Sequence, residues 1–282
     1  MSHKYQHVRI NKVNRRFFED FIPGIQYEKD GVEEYMIGTI KDGTPAGAAV
    51  VHRKDALMMI RSLRVESKVG GADICVAIIR EVLRIAESKG CEEVEYRYTS
   101  DELGYTGDIL RKAGFRSFKE EANVSVISSS LLAYLLTEDR KASDMRRECV
   151  RLIDEKKVRA FSRSPENARV FEELYPESDM SFMTINEKGE PESYAVISRL
   201  SDGSLYLADF YSAEGRDGDL FGLLYMSLGS VFMSIQPEGD FYIAAVEDRF
   251  DKLTRILFAA KYKELSRQGV FLASRATGKA VV

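Results

Sequence analysis

The stretch LRVESKVGGADICVAIIREVLRIAESKG, residues 63–90, decides the fold. It begins at the end of an apolar run (ALMMIRSLRVE, 56–66) that reads as a strand, then crosses a glycine-containing loop at 67–73. A helix follows, in which Ile74, Ala77, Ile78, Val82, Ile85 and Ala86 recur at spacings of three and four. That period places them on one face. Gly90 supplies a C-terminal stop. Strand, glycine loop and long amphipathic helix form one unit.

Upstream, GVEEYMIGTI (31–40) and PAGAAVVHR (45–53) flank Lys41-Asp42-Gly43-Thr44. Asp-Gly between apolar runs predicts a hairpin within a loop of about four residues. Downstream, EEVEYRYT (92–99) alternates as a strand, 101–113 reads as a helix ending at Gly114, and 115–127 as a strand. Residues 131–175 read as mostly helical and heavily charged, serving as a connector or a homodimer contact. The same order then returns. Strands are expected at 180–186, 193–200 and 204–211, and a loop at 212–219 (SAEGRDGD) leads into an apolar helix at 220–235. A strand at 240–246, a helix at 248–262 and a strand at 269–274 close the chain. Both halves follow one plan, with the glycine loop each time between the third strand and the longest helix.

The 282 residues are comfortable for two domains of ordinary size. Hydrophobic residues are 44% and charged residues 30%, enough apolar material for a sizeable core. Lys plus Arg total 41 against 45 Asp plus Glu, a net charge of −4, which disfavours a globally basic nucleic-acid binder. Cys75, Cys91 and Cys149 show neither metal-ligand spacing nor a disulfide framework, fitting a reducing, cytoplasmic setting. Only His3, His7 and His52 occur, so zinc sites and Ser-His-Asp triads are disfavoured. The polar N-terminus lacks the pattern of a signal peptide. No stretch reaches about 18 consecutive apolar residues, so no membrane span is expected.

The chemistry points to the loop Lys68-Val69-Gly70-Gly71-Ala72-Asp73. A helix N-terminus exposes unpaired N–H groups, and glycine lets an anion approach them closely. An ordinary strand-to-helix turn also uses glycine, so the loop alone leaves both readings open.

The run 63–90, followed by EEVEYRYT and ILRKAGF (109–115), resembles the core of the GNAT (Gcn5-related) N-acetyltransferase superfamily. In that family a strand leads into a loop of pattern (Arg/Gln)-x-x-Gly-x-(Gly/Ala), which cradles the pyrophosphate of acetyl-CoA, and the last helix ends near Tyr-x-Lys-x-Gly-Phe. Lys112-Ala113-Gly114-Phe115 matches that ending, and the second half resembles a more diverged unit. The resemblance implies an α/β fold with mixed sheets, made of two tandem acyl-CoA N-acyltransferase (GNAT-like) domains. Residues 1–130 would form the first; 131–282 would hold the connector and the second.

This sequence departs from the pattern in specific places. One registration puts Lys68 at the Arg/Gln position, Gly71 at the central glycine and Asp73 at the last position; another leaves Cys75 last. In the second half Gly215 and Gly218 keep a spacing, Leu220 stands last, and Asp217 and Asp219 add negative charge. The first half, with Lys68 as a positive partner, is therefore expected to hold acetyl-CoA as co-substrate. Leu63 and Val65 on the strand, with Lys68, Val69, Gly70, Gly71, Ala72 and Asp73, would bind it. Gly71→Glu should then abolish binding. Where family enzymes place a tyrosine that protonates the departing thiolate, this chain has Leu110 and Leu257. Tyr105, about one and a half turns before Leu110, is the substitute acid. Glu66 and Asp209 are the candidate bases, because an amine of pKa about 10.4 must lose a proton near neutral pH.

The implied activity is acetyl transfer to the amine of a small molecule or peptide. A catalytically weak CoA- or ligand-binding module and a tandem aminoacyl transferase using charged tRNA are the alternatives; net charge −4 weighs against the last.

Overall fold

The computed structural model describes residues 5–22, 32–66, 71–99, 105–138, 150–154, 156–158, 176–201, 203–235, 239–244, 248–259 and 261–277. The chain divides into two compact units. Unit 1 comprises Met1–Glu121, Leu200–Gly203 and Gly269–Val282; unit 2 comprises Ala122–Arg199 and Ser204–Gln268. This differs from a division at residue 130.

In unit 1 the strands are β1 (Tyr5–Arg9), β2 (Glu33–Lys41), β3 (Thr44–Lys54), β4 (Leu57–Val65), β5 (Glu93–Thr99) and β12 (Arg267–Ala276), in the order β1-β2-β3-β4-β5-β12. Only β4 and β5 run parallel; the other described pairs are antiparallel. The hairpin joining β2 and β3 is tighter than expected. Lys41 pairs with Thr44, leaving a two-residue turn with Asp42 at φ 51° and Gly43 at φ 84°. Those left-handed angles are why Asp-Gly is favoured there.

Helix α1 (Gly71–Ser88) buries Ile74, Ile78, Ile79, Val82, Leu83 and Ala86 in a core shared with Val51, Met58 and Ile60. Each large apolar side chain so buried contributes about 1.5–3 kcal/mol, an upper bound against a compact unfolded chain. Helix α2 (Tyr105–Ala113) adds Ile109, Leu110 and Ala113 to the same core.

Unit 2 repeats the plan with β6 (Ser117–Ser128), β7 (Val150–Leu152), β8 (Phe182–Ile185), β9 (Pro191–Arg199), β10 (Leu205–Ser212) and β11 (Asp240–Ala244), in the order β6-β11-β10-β9-β8-β7. Here β10 and β11 are the parallel pair. Its longer described helices are α3 (Ser129–Glu138), α4 (Asp217–Ile235) and α5 (Asp248–Leu257). By length and composition α4 is apolar enough to cross a membrane. In this fold Leu223, Leu224, Leu228 and Val231 are buried among Ala195, Ile197, Leu205 and Leu207.

Two features depart from the sequence reading. The last strand of each half is exchanged: β6 follows α2 but pairs with β11, and β12 follows α5 but pairs with β5. That exchange moves the boundary away from residue 130. Within 131–175, the described residues hold the rest of α3, the short β7 and helical residues at 156–158; 139–149, 155 and 159–175 lie outside the described residues.

Each parallel pair is short and ends at the same kind of irregularity. In unit 1 it covers Leu57–Ile60 against Glu93–Tyr96, and a bulge at Arg61 follows, between Ile60 opposite Val51 and Ser62 opposite Val50. In unit 2 it covers Leu205–Leu207 against Phe241–Ile243, and a bulge at Ala208 follows. A bulge bends and twists its strand away from its neighbour. In unit 1 β4 and β5 part beyond the bulge, and in unit 2 no pairing of β10 with β11 follows it among the described residues.

Candidate active site

In unit 1 that gap is filled from within. The segment Leu200–Gly203 belongs to this unit, and Ser201 sits between the diverging strands. The Leu63 N–H of β4 donates to the Ser201 carbonyl at 3.0 Å, and the Ser201 N–H donates to the Arg97 carbonyl of β5 at 3.0 Å. The Arg97 N–H donates to Ser201 Oγ, also at 3.0 Å. Ser201 and Leu200 are almost wholly buried, at 3% and 2% exposure. A single residue thereby satisfies the main-chain groups that the departure of β4 from β5 would strand.

The other described first-half residues lie at the strand-to-helix corner. Leu63 and Val65 are half-buried against the unit 1 core. Glu66 is exposed, and its N–H donates to the Ala46 carbonyl at 2.9 Å. Gly71 is the first residue of α1; a Cβ there would lie 3.4 Å from the Glu66 carbonyl oxygen, an ordinary contact. Ala72 is half-buried and Asp73 exposed. Lys68, Val69 and Gly70 lie outside the described residues. Tyr105 opens α2 at 54% exposure, whereas Leu110 is buried at 1%.

Unit 2 is built differently at the matching step. Asp209, next after the bulge, is 0% exposed. Its carboxylate accepts the Tyr194 hydroxyl at 3.1 Å, the Phe210 N–H at 2.9 Å and Arg249 Nη2 at 2.9 Å. Arg249, in the first turn of α5, also donates through Nη1 to the Phe210 carbonyl at 3.2 Å. Its guanidinium lies over the rings of Phe210 and Phe250. Burial pushes the Asp209 carboxyl above its ordinary range, while Arg249 and the Tyr194 hydroxyl pull it back. Asp209, a candidate base by its chemistry, is thus buried and paired with Arg249 in this structure.

Beyond Phe210, β10 continues through Tyr211 and Ser212 with pairing to β9 on one side; no pairing with β11 extends past Leu207 among the described residues. The chain then turns at Gly215, φ 73°, into α4. Arg216 lies 3.5 Å from Glu192 and is partly exposed. Asp217 is exposed and Asp219 buried in the first turn. Leu257 and Phe258 are core residues at 8% and 2% exposure.

Three residues of these sites had no functional signal in the sequence. Ser201 reads only as part of a Ser-Asp-Gly turn, Tyr194 as strand packing, and Arg249 as one cation among many. Among the described residues no group of three or more His, Cys, Asp or Glu could hold a metal ion.

Where β4 leaves β5 in unit 1, main chain of Ser201 takes the Leu63 amide. At the matching step of unit 2 the Phe210 carbonyl is met by the Arg249 side chain.

No family model matches the sequence, and no curated protein does. Among solved structures, a tandem GNAT protein from the clavulanic acid biosynthesis pathway (without AcCoA) is 12% identical, with 98% of this chain and 100% of that one covered, at a TM-score of 0.53. L-PGS from Bacillus licheniformis is 13% identical, covering 84% of this chain and 82% of its own, at 0.42. A GCN5-related N-acetyltransferase from Sphaerobacter thermophilus is 10% identical, covering 86% and 80%, also at 0.42. At these identities the likeness shows the fold: two GNAT units in tandem.

Proposed function

We propose that this tandem GNAT-fold protein is an acyltransferase with one working unit, the second, moving the acetyl group of acetyl-CoA to an amine of a small molecule or peptide. The observation that supports this reading is the Leu63–Ser201 hydrogen bond, which sets a turn of unit 1 at that unit's strand gap. In the second unit, the main chain of β10 at Tyr211–Ser212, Arg216 and the first-turn amides of α4 would hold the donor. The thioester supplies an activated acyl carbon. Negative charge developing on its oxygen needs a nearby donor. Arg249 is the cation placed at the Phe210 carbonyl, with Asp209 and Tyr194 fixing the guanidinium. An acceptor amine enters neutral and attacks the acyl carbon; the C–N bond forms, the C–S bond breaks, the amine proton passes to water by the half-buried end of β10, and the departing CoA thiolate takes a proton from water.

A specific observation favours a second reading, a ligand-binding module without transfer. Asp217 and Asp219 put two carboxylates in the first turn of α4, where a pyrophosphate would lie. Arg249 already occupies the Phe210 carbonyl.

Thiol release from acetyl-CoA across a panel of small amines and peptides separates the two. Amine-dependent release supports transfer. CoA binding without release supports the module.

A further inference from the structure

Unit 1 carries a cavity of about 560 Å³ far along the strands from the filled gap. It lies beside Glu93, the first residue of β5, which pairs with Leu57 at the start of β4, whereas the gap opens beyond Ile60. Its walls come from the end of α1, the starts of β5 and β6, and the end of β12. The residues that matter are Arg116, Arg275, Glu87, Glu93, Ser117 and Ser274.

Main-chain and side-chain bonds fix these walls. The Arg116 N–H donates to the Ser274 carbonyl at 3.3 Å, and the Thr277 N–H to the Glu92 carbonyl at 2.9 Å. The Thr277 hydroxyl donates to the Cys91 carbonyl, pinning the end of β12. Arg275 Nη1 donates to the Ala113 carbonyl at 3.2 Å. It fits because residue 114 is glycine: a Cβ there would stand 2.6 Å from that nitrogen. Its other terminal nitrogen is 3.9 Å from Glu87.

The charges of this cavity are not used up internally. Arg275 has Glu87 within ion-pair range, but no ion pair to Arg116 or to Glu93 is found among the described residues. A cation and a carboxylate thus line one cavity without pairing, with two serine hydroxyls beside them. Opposite charges held apart on a rigid wall are complementary to a ligand carrying both signs. The volume lies within the usual range of small-molecule sites, about 300–1,000 Å³.

We propose that this cavity binds a small zwitterion of amino-acid to dipeptide size. Its carboxylate lies between Arg116 and Arg275, and its ammonium against Glu93 and Glu87. This site is independent of the acyl-transfer reading.

Calorimetry on the full chain tests it, with an α-amino acid panel, a dipeptide panel, succinate as a purely anionic probe and putrescine as a purely cationic one. The amino-acid and dipeptide arms distinguish the two sizes. At least one zwitterion is expected to bind at millimolar or better affinity, more tightly than either single-sign probe. Arg116→Ala and Glu93→Gln, both at positions that carry no described ion pair, should each weaken that binding by about tenfold or more, the loss of one charge-assisted contact. Circular dichroism confirms that each variant is folded. Absence of binding by every zwitterion overturns the proposal. So does binding of succinate or putrescine as tightly as the best zwitterion, or unchanged affinity in both folded variants.

Discussion

The amide of Leu63 donates to the carbonyl of Ser201 at 3.0 Å, so the place where β4 parts from β5 is closed by a turn of the same unit. Ser201 adds a side-chain bond, its Oγ accepting the Arg97 N–H. Ser201→Ala removes only that last bond and leaves the Arg97 amide unmet in a buried position. It should cost about 1–3 kcal/mol, read as a lower denaturant midpoint at unchanged slope. Acetyl-CoA affinity should not change. A tighter or newly appearing CoA site in this variant would show that the turn is a removable plug.

Asp209 and Arg249 form the equivalent brace in unit 2. Asp209→Ala leaves a guanidinium without its carboxylate and should destabilise the protein by about 3 kcal/mol or more, measured by thermal or denaturant unfolding. An effect within a few tenths of a kcal/mol would mean that the pair does not hold the structure.

The pH dependence of that site has a defined sign. Burial holds the folded carboxyl of Asp209 above its ordinary value of 3.8, so just above that pH the folded state keeps a proton that the unfolded state has lost. Its contribution to stability therefore falls as pH rises through this window and levels off once both states are ionised. The stability of Asp209→Asn relative to the parent should accordingly rise with pH across the window. Thermal unfolding of both proteins from acid to neutral pH checks the slope; the opposite slope would place the carboxyl below its ordinary value.

Much of the fold is legible in the sequence, because its signals are local. The 3.6-residue period across 74–86 marks α1, and Asp42-Gly43 marks the first hairpin. The exchange of β6 and β12 is not legible. Both alternate as ordinary strands, and nothing local says which neighbour each will pair with. The bulges at Arg61 and Ala208 are hidden for the same reason, being properties of register. Of the candidate site, the strand-to-helix corner could be read from its glycines. Ser201 could not, since its role depends on a segment more than a hundred residues away in sequence. Leu110 and Leu257 follow helical core spacing, and both are buried. Glu66 and Tyr105 are candidates by chemistry alone, and both are exposed.

Burial raises the Cys75 thiol to about 11. At pH 8 it is almost wholly protonated and should react slowly with a disulfide reagent in the native protein. Cys91, at 1% exposure, should be silent as well. Mass spectrometry of native protein after brief labelling should find both unmodified, and denatured protein should label at each. Rapid native labelling of Cys75 would contradict its burial.

Calorimetric titration with acetyl-CoA measures directly which unit takes the acyl donor. The parent and Gly71→Glu should each bind one equivalent with the same affinity, and Arg216→Glu should lose binding. Two equivalents in the parent, loss of binding in Gly71→Glu, or no binding to any of the three proteins would contradict the assignment to unit 2.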